Sequence, residues 1–174
     1  MNKKTIINGL LLVIVVGGLL WLGQINQANK NVADNLNTNA SLGPLISVES
    51  EFDFGMISMA RGRVNHSFTI KNDSSSPITI NKIYTSCMCT SATIIDGLGQ
   101  RIGPFGMPGH GGASRANAEI APQEFMTIEA VFDPAAHGPS GVGLAQRSIY
   151  LETIDNNSDM VSKLELSFTA TVTQ

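Results

Sequence analysis

Residues 163–173, close to the carboxyl end of the chain, alternate strictly between polar and apolar side chains. Successive side chains of a β-strand point to opposite faces of a sheet, so a period of two predicts a strand with one buried face. Shorter runs that resemble it recur from residue 45 onward and are separated by clusters of turn-forming residues. They lie at residues 45–48, 52–57, 64–70, 77–84, 90–95, 126–132 and 147–153.

Residues 45–174 are therefore predicted to form an all-β domain, an immunoglobulin-like antiparallel β-sandwich of about seven strands. No stretch after residue 30 has a helical period of apolar residues. The 14 acidic and 11 basic residues give a net charge of −3, which provides no basic face for nucleic acid. Nucleic-acid binding is accordingly not expected.

One segment of this domain, residues 96–122, carries seven glycines and three prolines and is predicted to be a single long loop. Loops longer than about 12–15 residues are uncommon in compact domains and are usually functional or disordered. A second glycine-rich loop is predicted at residues 133–143. These two loops are the first places to look for a functional site.

The amino-terminal part of the chain has a different composition. Residues 6–25 contain no charged side chain, and twenty helical residues span roughly the 30 Å of a bilayer core. We predict an uncleaved transmembrane anchor at residues 1–25, because the small-x-small site of a cleaved signal peptide is missing. Lys3 and Lys4 precede the apolar run and place the amino end in the cytoplasm. An asparagine-rich flexible linker, residues 26–44, then leads to a domain in the periplasm or on the cell surface.

Both cysteines of the chain lie in the stretch Thr85-Ser86-Cys87-Met88-Cys89-Thr90. In an extended strand, Cys87 and Cys89 would point to the same face about 6.6–6.8 Å apart, with Met88 facing the other way. A disulfide fits that conformation badly, because bridged Cβ atoms lie about 3.5–4.5 Å apart. Four alternatives stay open: a bridge in a bent backbone, free thiols, an intermolecular bridge, or a pair of soft metal ligands.

The metal hypothesis extends to the two glycine-rich loops. Thiolates, a thioether and an imidazole together suit Cu(I) better than hard cations, because sulfur ligands select soft metals. The long loop could fold back over the cysteines, since its glycines permit close backbone approach. The predicted copper ligands are Cys87, Cys89, Met107 and His110, and His137 either joins them or caps a turn.

Four short motifs along the domain resemble a bacterial family of extracytoplasmic domains of uncharacterised function. The motifs are Asp53-Phe54-Gly55-x-Ile57, His66-x-Phe68-x-Ile70-Lys71-Asn72, Thr85-Ser86-Cys87-x-Cys89-Thr90 and Val131-Phe132-Asp133-Pro134. The resemblance implies a sandwich related to the PapD and major-sperm-protein group, with the Ser-Cys-x-Cys-Thr element as its most specific part. Family members often have glycine where Met88 stands and a Pro-Gly-Glu turn where this chain has Pro122-Gln123-Glu124.

The chain lacks the motifs of common enzyme classes. Gly97-x-Gly99 is followed by no third glycine at dinucleotide-loop spacing, and Ser114 and Ser140 have no Gly-x-Ser-x-Gly setting. His66 is in phase with apolar neighbours and is predicted to be a hydrogen-bonded core histidine. We therefore expect a non-catalytic binding or scaffold domain, with a protein partner outside the membrane and Cu(I) binding or delivery as the alternative.

Overall fold

The structure is a computed structural model that describes residues 43–110, 114–156, 159 and 161–174. The predicted anchor at residues 1–25 and all but the last two residues of the predicted linker lie outside these residues. Across the described residues, no helix combines the length and the apolar character needed to cross a bilayer.

The described residues form ten β-strands in two five-stranded sheets. The strands are β1 Leu45–Ser47, β2 Glu51–Ser58, β3 Val64–Asn72, β4 Ile78–Thr85, β5 Thr90–Ile95, β6 Arg101–Phe105, β7 Arg115–Ile120, β8 Phe125–Phe132, β9 Gly143–Asp155 and β10 Val161–Thr173. Two one-turn 3₁₀ helices, Met59–Arg61 and Gly138–Gly141, lie in the connections.

The first sheet has the strand order β1-β3-β8-β5-β6 and the second has β2-β10-β9-β4-β7. The all-β sandwich predicted from the sequence is thus confirmed, and its architecture fits an immunoglobulin-like fold. The described strands number ten rather than about seven. Neighbouring strands are antiparallel with one exception, because β2 runs parallel to β10.

The core lies between the inner faces of the two sheets, where the period-two runs place their apolar side chains. β10 follows the predicted pattern, with every second residue buried from Leu164 to Val172. Burial of each large aliphatic or aromatic side chain contributes roughly 1.5–3 kcal/mol. The fully buried side chains are Leu45, Phe68, Ile70, Ile78, Ile80, Ile83, Ile94, Ile120, Ile128, Ile149, Leu151 and Phe168.

The parallel pair of β2 and β10 contains one irregularity. Asp53 pairs with Thr169, but Thr171 pairs with Met56, so β2 has one more residue than β10 between these pairs. Gly55 stands in this bulge with a φ of +65°, a left-handed conformation that favours glycine. The bulge keeps both halves of β2 in contact with β10.

The prediction that residues 96–122 form one long loop is wrong, because β6 and β7 lie within this segment. β6 pairs with β5 and aligns Phe105 with Ala92, while β7 pairs with β4 and aligns Ile120 with Ile78. Both are edge strands, where the missing amide hydrogen of a proline is tolerated. Phe105 and Ile120 are nevertheless buried and fix the two strands to the core.

Asn72, at the end of β3, is fully buried and makes four side-chain hydrogen bonds. Its Nδ2 donates to the main-chain oxygens of Ser76 and Ile120, at 2.8 and 3.0 Å. Its Oδ1 accepts from the main-chain amide of Ser74 at 3.0 Å and from the hydroxyl of the same residue at 2.7 Å. One side chain therefore joins the β3–β4 turn to the end of β7 on the other sheet.

His66 is packed and hydrogen-bonded, in agreement with the prediction from its phase in β3. Its ring stacks on Phe52 with centroids 3.6 Å apart and lies edge-on to Phe68. Its Nε2 lies 3.0 Å from Oε2 of Glu49, and 18% of its side chain is exposed. These contacts bring β2 of the second sheet against β3 of the first.

Candidate functional site

The two cysteines lie in the turn between β4, which ends at Thr85, and β5, which begins at Thr90. The amide of Thr90 donates to the main-chain oxygen of Cys87 at 3.1 Å, which closes the turn. The hydroxyl of Thr85 donates to the same oxygen at 2.9 Å. The backbone at the cysteines is therefore bent by these hydrogen bonds, and the extended-strand geometry considered from the sequence does not apply.

Cys87 and Cys89 form a disulfide, which is the bent Cys-x-Cys bridge left open by the sequence. Their Cα atoms lie 5.2 Å apart, within the usual range for bridged cysteines. The bridge closes a very short loop, so loop-closure entropy adds only about 1.5 kcal/mol of stability, compared with about 4.7 kcal/mol for a 100-residue loop. The bridge is therefore a weak constraint on the unfolded chain.

Three nitrogen atoms surround the two sulfurs. Nε2 of His137 lies 3.2 Å from the Cys87 sulfur, and the main-chain amide of Cys89 donates to that sulfur at 3.2 Å. Nε of Arg147 donates to the Cys89 sulfur at 3.0 Å. Cys89 is 3% exposed, Cys87 is half-buried, and His137 is exposed. We call Cys87, Cys89, His137 and Arg147 the cysteine cluster.

His137 reaches the cysteines because the chain beyond β8 is anchored beside them. The amide of Asp133 donates to the main-chain oxygen of Cys89 at 2.8 Å. The side chain of Asp133 accepts from the amide of Ala135 at 3.0 Å, and the chain then turns into the 3₁₀ helix that starts at Gly138. Of the two roles predicted for His137, a place beside the cysteines is the one that the structure shows.

Arg147 is a member of the cluster that was not predicted from the sequence. Along β9 it stands in phase with the buried Ala145 and Ile149, so it occupies a core-facing position. It pairs in register with Phe168 of β10. A charged residue at the inward phase of a strand is the sequence signal that could have identified it, because unpaired charge is seldom buried.

Met107 and His110 lie in the connection from β6 to β7, close to this end of the sandwich. The amide of Thr85 donates to the main-chain oxygen of Gly106 at 3.2 Å, which brings the start of the connection to the end of β4. Both Met107 and His110 line a cleft of about 360 Å³, which also contains the exposed side chain of Met88. Their role as copper ligands stays a prediction.

A second cleft, of about 240 Å³, shares Met88, Thr90 and Ser91 with the first. Its wall includes Cys89, and Arg63 pairs there with Asp133 at 3.4 Å. Met88 lines both clefts and is 55% exposed. The cysteine turn therefore contributes one exposed apolar side chain to the lining of both clefts.

The cluster has the donor set of a soft-metal site once its disulfide is reduced. Among the described residues, the ligand atoms of Cys87, Cys89 and His137 all lie within 4.8 Å of one another, and His110 is not part of this group. Thiolates and imidazole suit Cu(I) and zinc. A disulfide sulfur cannot supply the thiolate charge, so metal binding and the bridge exclude each other.

Residues 45–96 match the model of a protein family described as "Protein of unknown function (DUF1573)". The match includes both cysteines and agrees with the resemblance to an uncharacterised family. The Ser-Cys-x-Cys-Thr element as a signature of that family stays a prediction. No curated protein sequence matches the chain.

The chain is similar in structure to a protein of unknown function from Porphyromonas gingivalis W83, with 15% identity, a TM-score of 0.51 and 77% of this chain covered. It is also similar to the VesB protease of Vibrio cholerae, with 16% identity, a TM-score of 0.52 and 80% of this chain covered. It spans 49% and 34% of those two chains, respectively. A third similar structure is PapD-like domain 7 of human CEP192, with 10% identity, a TM-score of 0.47, and 75% of this chain and 86% of that chain covered. At 15% and 16% identity, the likeness to the first two structures shows the fold alone.

Proposed function

We propose that the chain is a membrane-anchored extracytoplasmic domain that binds a protein partner and does not itself catalyse a reaction. In this proposal residues 1–25 are the anchor, residues 26–44 are the linker, and the sandwich is held outside the cytoplasm. The charge-free apolar run and the lysines that precede it support the anchor and its orientation. The surface of the second sheet supports the binding role.

A row of exposed side chains on the second sheet carries this proposal. Thr171 of β10 pairs in register with Met56 of β2 on one side and with Leu144 of β9 on the other. Met56 is 77% exposed and Leu144 is 79% exposed, although both are apolar. We call these three residues the exposed row. Its two apolar side chains lie on either side of Thr171, and exposed apolar side chains grouped on one face are typical of a site that binds another protein.

The position of β2 gives the row a way to engage a partner. β2 is a terminal strand of the second sheet within the described residues, and its eight residues make it longer than the other terminal strands, β1, β6 and β7. A partner strand can extend a sheet by hydrogen bonding to such an edge, while side-chain contacts supply specificity. The partner in this proposal adds a strand along β2 and covers Met56 with an apolar side chain.

Site-specific photocrosslinking in whole cells tests the binding role. A photoreactive amino acid replaces Met56 in one variant and Leu98 in the control, where Leu98 is 96% exposed in the turn between β5 and β6. We expect a discrete crosslinked product from position 56 and only background from position 98. The binding role is contradicted if both positions give background alone.

Cell fractionation tests the anchor separately. If residues 1–25 remain in the mature protein, the product stays with membranes after a carbonate wash and retains its amino-terminal Met1 or Asn2 by mass spectrometry. Protease added outside the cytoplasmic membrane should degrade the sandwich. A soluble product that begins near Asn26 would contradict the anchor.

Cu(I) binding is a second candidate function, supported by the grouping of Cys87, Cys89 and His137 within 4.8 Å. The reduced protein should take one Cu(I) from a competing chelator. Cys89→Ser should weaken the affinity by orders of magnitude, because it removes a thiolate ligand. The control His66→Phe keeps an aromatic ring on Phe52 and should leave the affinity unchanged. Equal affinities for the two variants would show that the cysteines are not the ligands.

His110→Ala separates the two versions of the copper site. His110 lines the cleft beside Met88, whereas His137 contacts the Cys87 sulfur. If the loop closes over the metal, both His110→Ala and His137→Ala should lower the affinity. If the site consists of the grouped ligands alone, only His137→Ala should do so.

A further inference from the structure

The Cys87–Cys89 disulfide adds little to the stability of its turn, because hydrogen bonds already fix the turn. The turn that holds it is closed by the hydrogen bond from the Thr90 amide to the Cys87 oxygen. The hydroxyl of Thr85 shares its one hydrogen between that oxygen, at 2.9 Å, and the main-chain oxygen of Thr90, at 3.1 Å. A bridge between residues two positions apart adds little further constraint to a turn that is fixed in this way.

The groups around the sulfurs are those that a reduced cysteine pair needs. Arg147 stands at a core-facing position of β9, and the described residues place no carboxylate within ion-pair distance of it. Its guanidinium makes two other hydrogen bonds: Nε donates to the Cys89 sulfur at 3.0 Å, and Nη1 donates to the main-chain oxygen of Gln146 at 2.7 Å. The sulfur of a disulfide is neutral and a weak acceptor, whereas a thiolate is charged and binds a guanidinium strongly. The position of Arg147 is therefore matched to the reduced state.

The two cysteines also differ in burial and in their neighbours. Cys89 is 3% exposed and its sulfur accepts from Arg147, whereas Cys87 is half-buried as a residue and its sulfur lies 3.2 Å from Nε2 of the exposed His137. Thiol–disulfide exchange requires one sulfur that an incoming thiolate can reach and a second sulfur that leaves. Cys87 is the sulfur open to attack, and Cys89, next to Arg147, is the leaving sulfur.

We propose that Cys87 and Cys89 are a redox-active pair that accepts two electrons from a dithiol on a partner protein. This inference goes beyond the proposed binding function, which needs no chemistry at the cysteines. It is compatible with Cu(I) binding, since reduction of the bridge creates the thiolates that a soft metal requires.

The exchange proceeds in two balanced steps. One partner thiolate attacks the Cys87 sulfur, a mixed disulfide forms, and the Cys87–Cys89 bond breaks with Cys89 leaving as a thiolate beside Arg147. The second partner thiolate then attacks the partner's own sulfur in the mixed disulfide, and Cys87 leaves as a thiolate. The partner ends as a disulfide and the pair as a dithiol, while the two protons of the partner thiols pass to solvent or to the new thiolates.

The test is a redox titration of the purified full chain in buffers of graded reduced and oxidised glutathione, with a copper chelator present. Alkylation of free thiols followed by mass spectrometry gives the oxidised fraction at each ratio. We expect reversible conversion with a midpoint inside the glutathione range. Arg147→Gln should shift the midpoint about tenfold in the equilibrium constant toward the disulfide, or about 30 mV, because the reduced state loses its cation.

Two further variants keep the result interpretable. Arg115→Gln replaces an exposed arginine on β7 and should leave the midpoint unchanged. His137→Ala removes an exposed side chain, should fold normally, and should change the rate at which glutathione opens the bridge. The inference is overturned if the pair stays fully oxidised or fully reduced at every ratio. It is also overturned if folded Arg147→Gln and His137→Ala both behave like the unmodified protein.

Discussion

Replacement of Asn72 should cost more stability than any other exchange of a polar side chain for alanine in the sandwich. Its amide group makes four hydrogen bonds and is completely buried. A buried hydrogen bond contributes about 1 kcal/mol net, so Asn72→Ala should lower the free energy of unfolding by about 4 kcal/mol. For a domain of this size that loss corresponds to a fall in Tm of about 16 °C.

Thermal and urea unfolding of the purified protein would measure this loss. Asn72→Leu restores the volume but not the hydrogen bonds, so it should be at least as destabilising as Asn72→Ala. Asn65→Ala changes an exposed asparagine on the same strand and should alter the free energy of unfolding by less than about 0.5 kcal/mol. A loss below about 1 kcal/mol for Asn72→Ala would refute the claim that this side chain joins the two sheets.

Three further predictions concern single positions. Phe105→Ala should reduce the free energy of unfolding by about 3 kcal/mol in urea titrations, because it empties a buried site on an edge strand, whereas Leu98→Ala should have no measurable effect. His66→Ala should lower the Tm by several degrees through loss of the stack on Phe52, and His66→Phe should recover most of it. Met88→Ser should slow reduction of the disulfide by a protein dithiol but not by glutathione, because Met88 lines the clefts that a large partner would contact.

The sequence was sufficient for most of the sandwich, because strands with one buried face have a period of two that is visible without a structure. It was insufficient for β6 and β7. β6 contains Gly103 and Pro104, which are typical of loops, and only its pairing with β5 shows that an edge strand tolerates them. β7 has alanine at positions where other strands have larger apolar residues. Its sequence therefore gives little sign of a buried face, and its pairing with β4 is visible only in the structure.

The candidate site was predicted only in part, because some of its contacts join residues that are distant in sequence. The cysteines, and His137 as one candidate neighbour, could be selected by residue type. The bend at Cys87 could not be predicted, because it depends on how Thr85 donates across the turn. Arg147 comes from a strand 58 residues away in sequence from Cys89, and no local pattern records that separation. Met107 and His110 were predicted to be copper ligands because their loop is long enough to reach the cysteines. Loop length alone does not give the distance between the ligand atoms.

The parallel pairing of β2 with β10 has a consequence for folding during synthesis. Hydrogen bonds join Asp53 to Thr169 and Ser58 to Gln174, across 116 residues of sequence in each case. During synthesis, β2 emerges early and has no neighbour in its sheet until the final strand has left the ribosome. Contacts of such long range slow folding and leave an unpaired edge exposed while the chain grows. A chain that terminates before Val161 would leave β2 in this condition permanently, so nascent and truncated forms should be clients of chaperones and proteases.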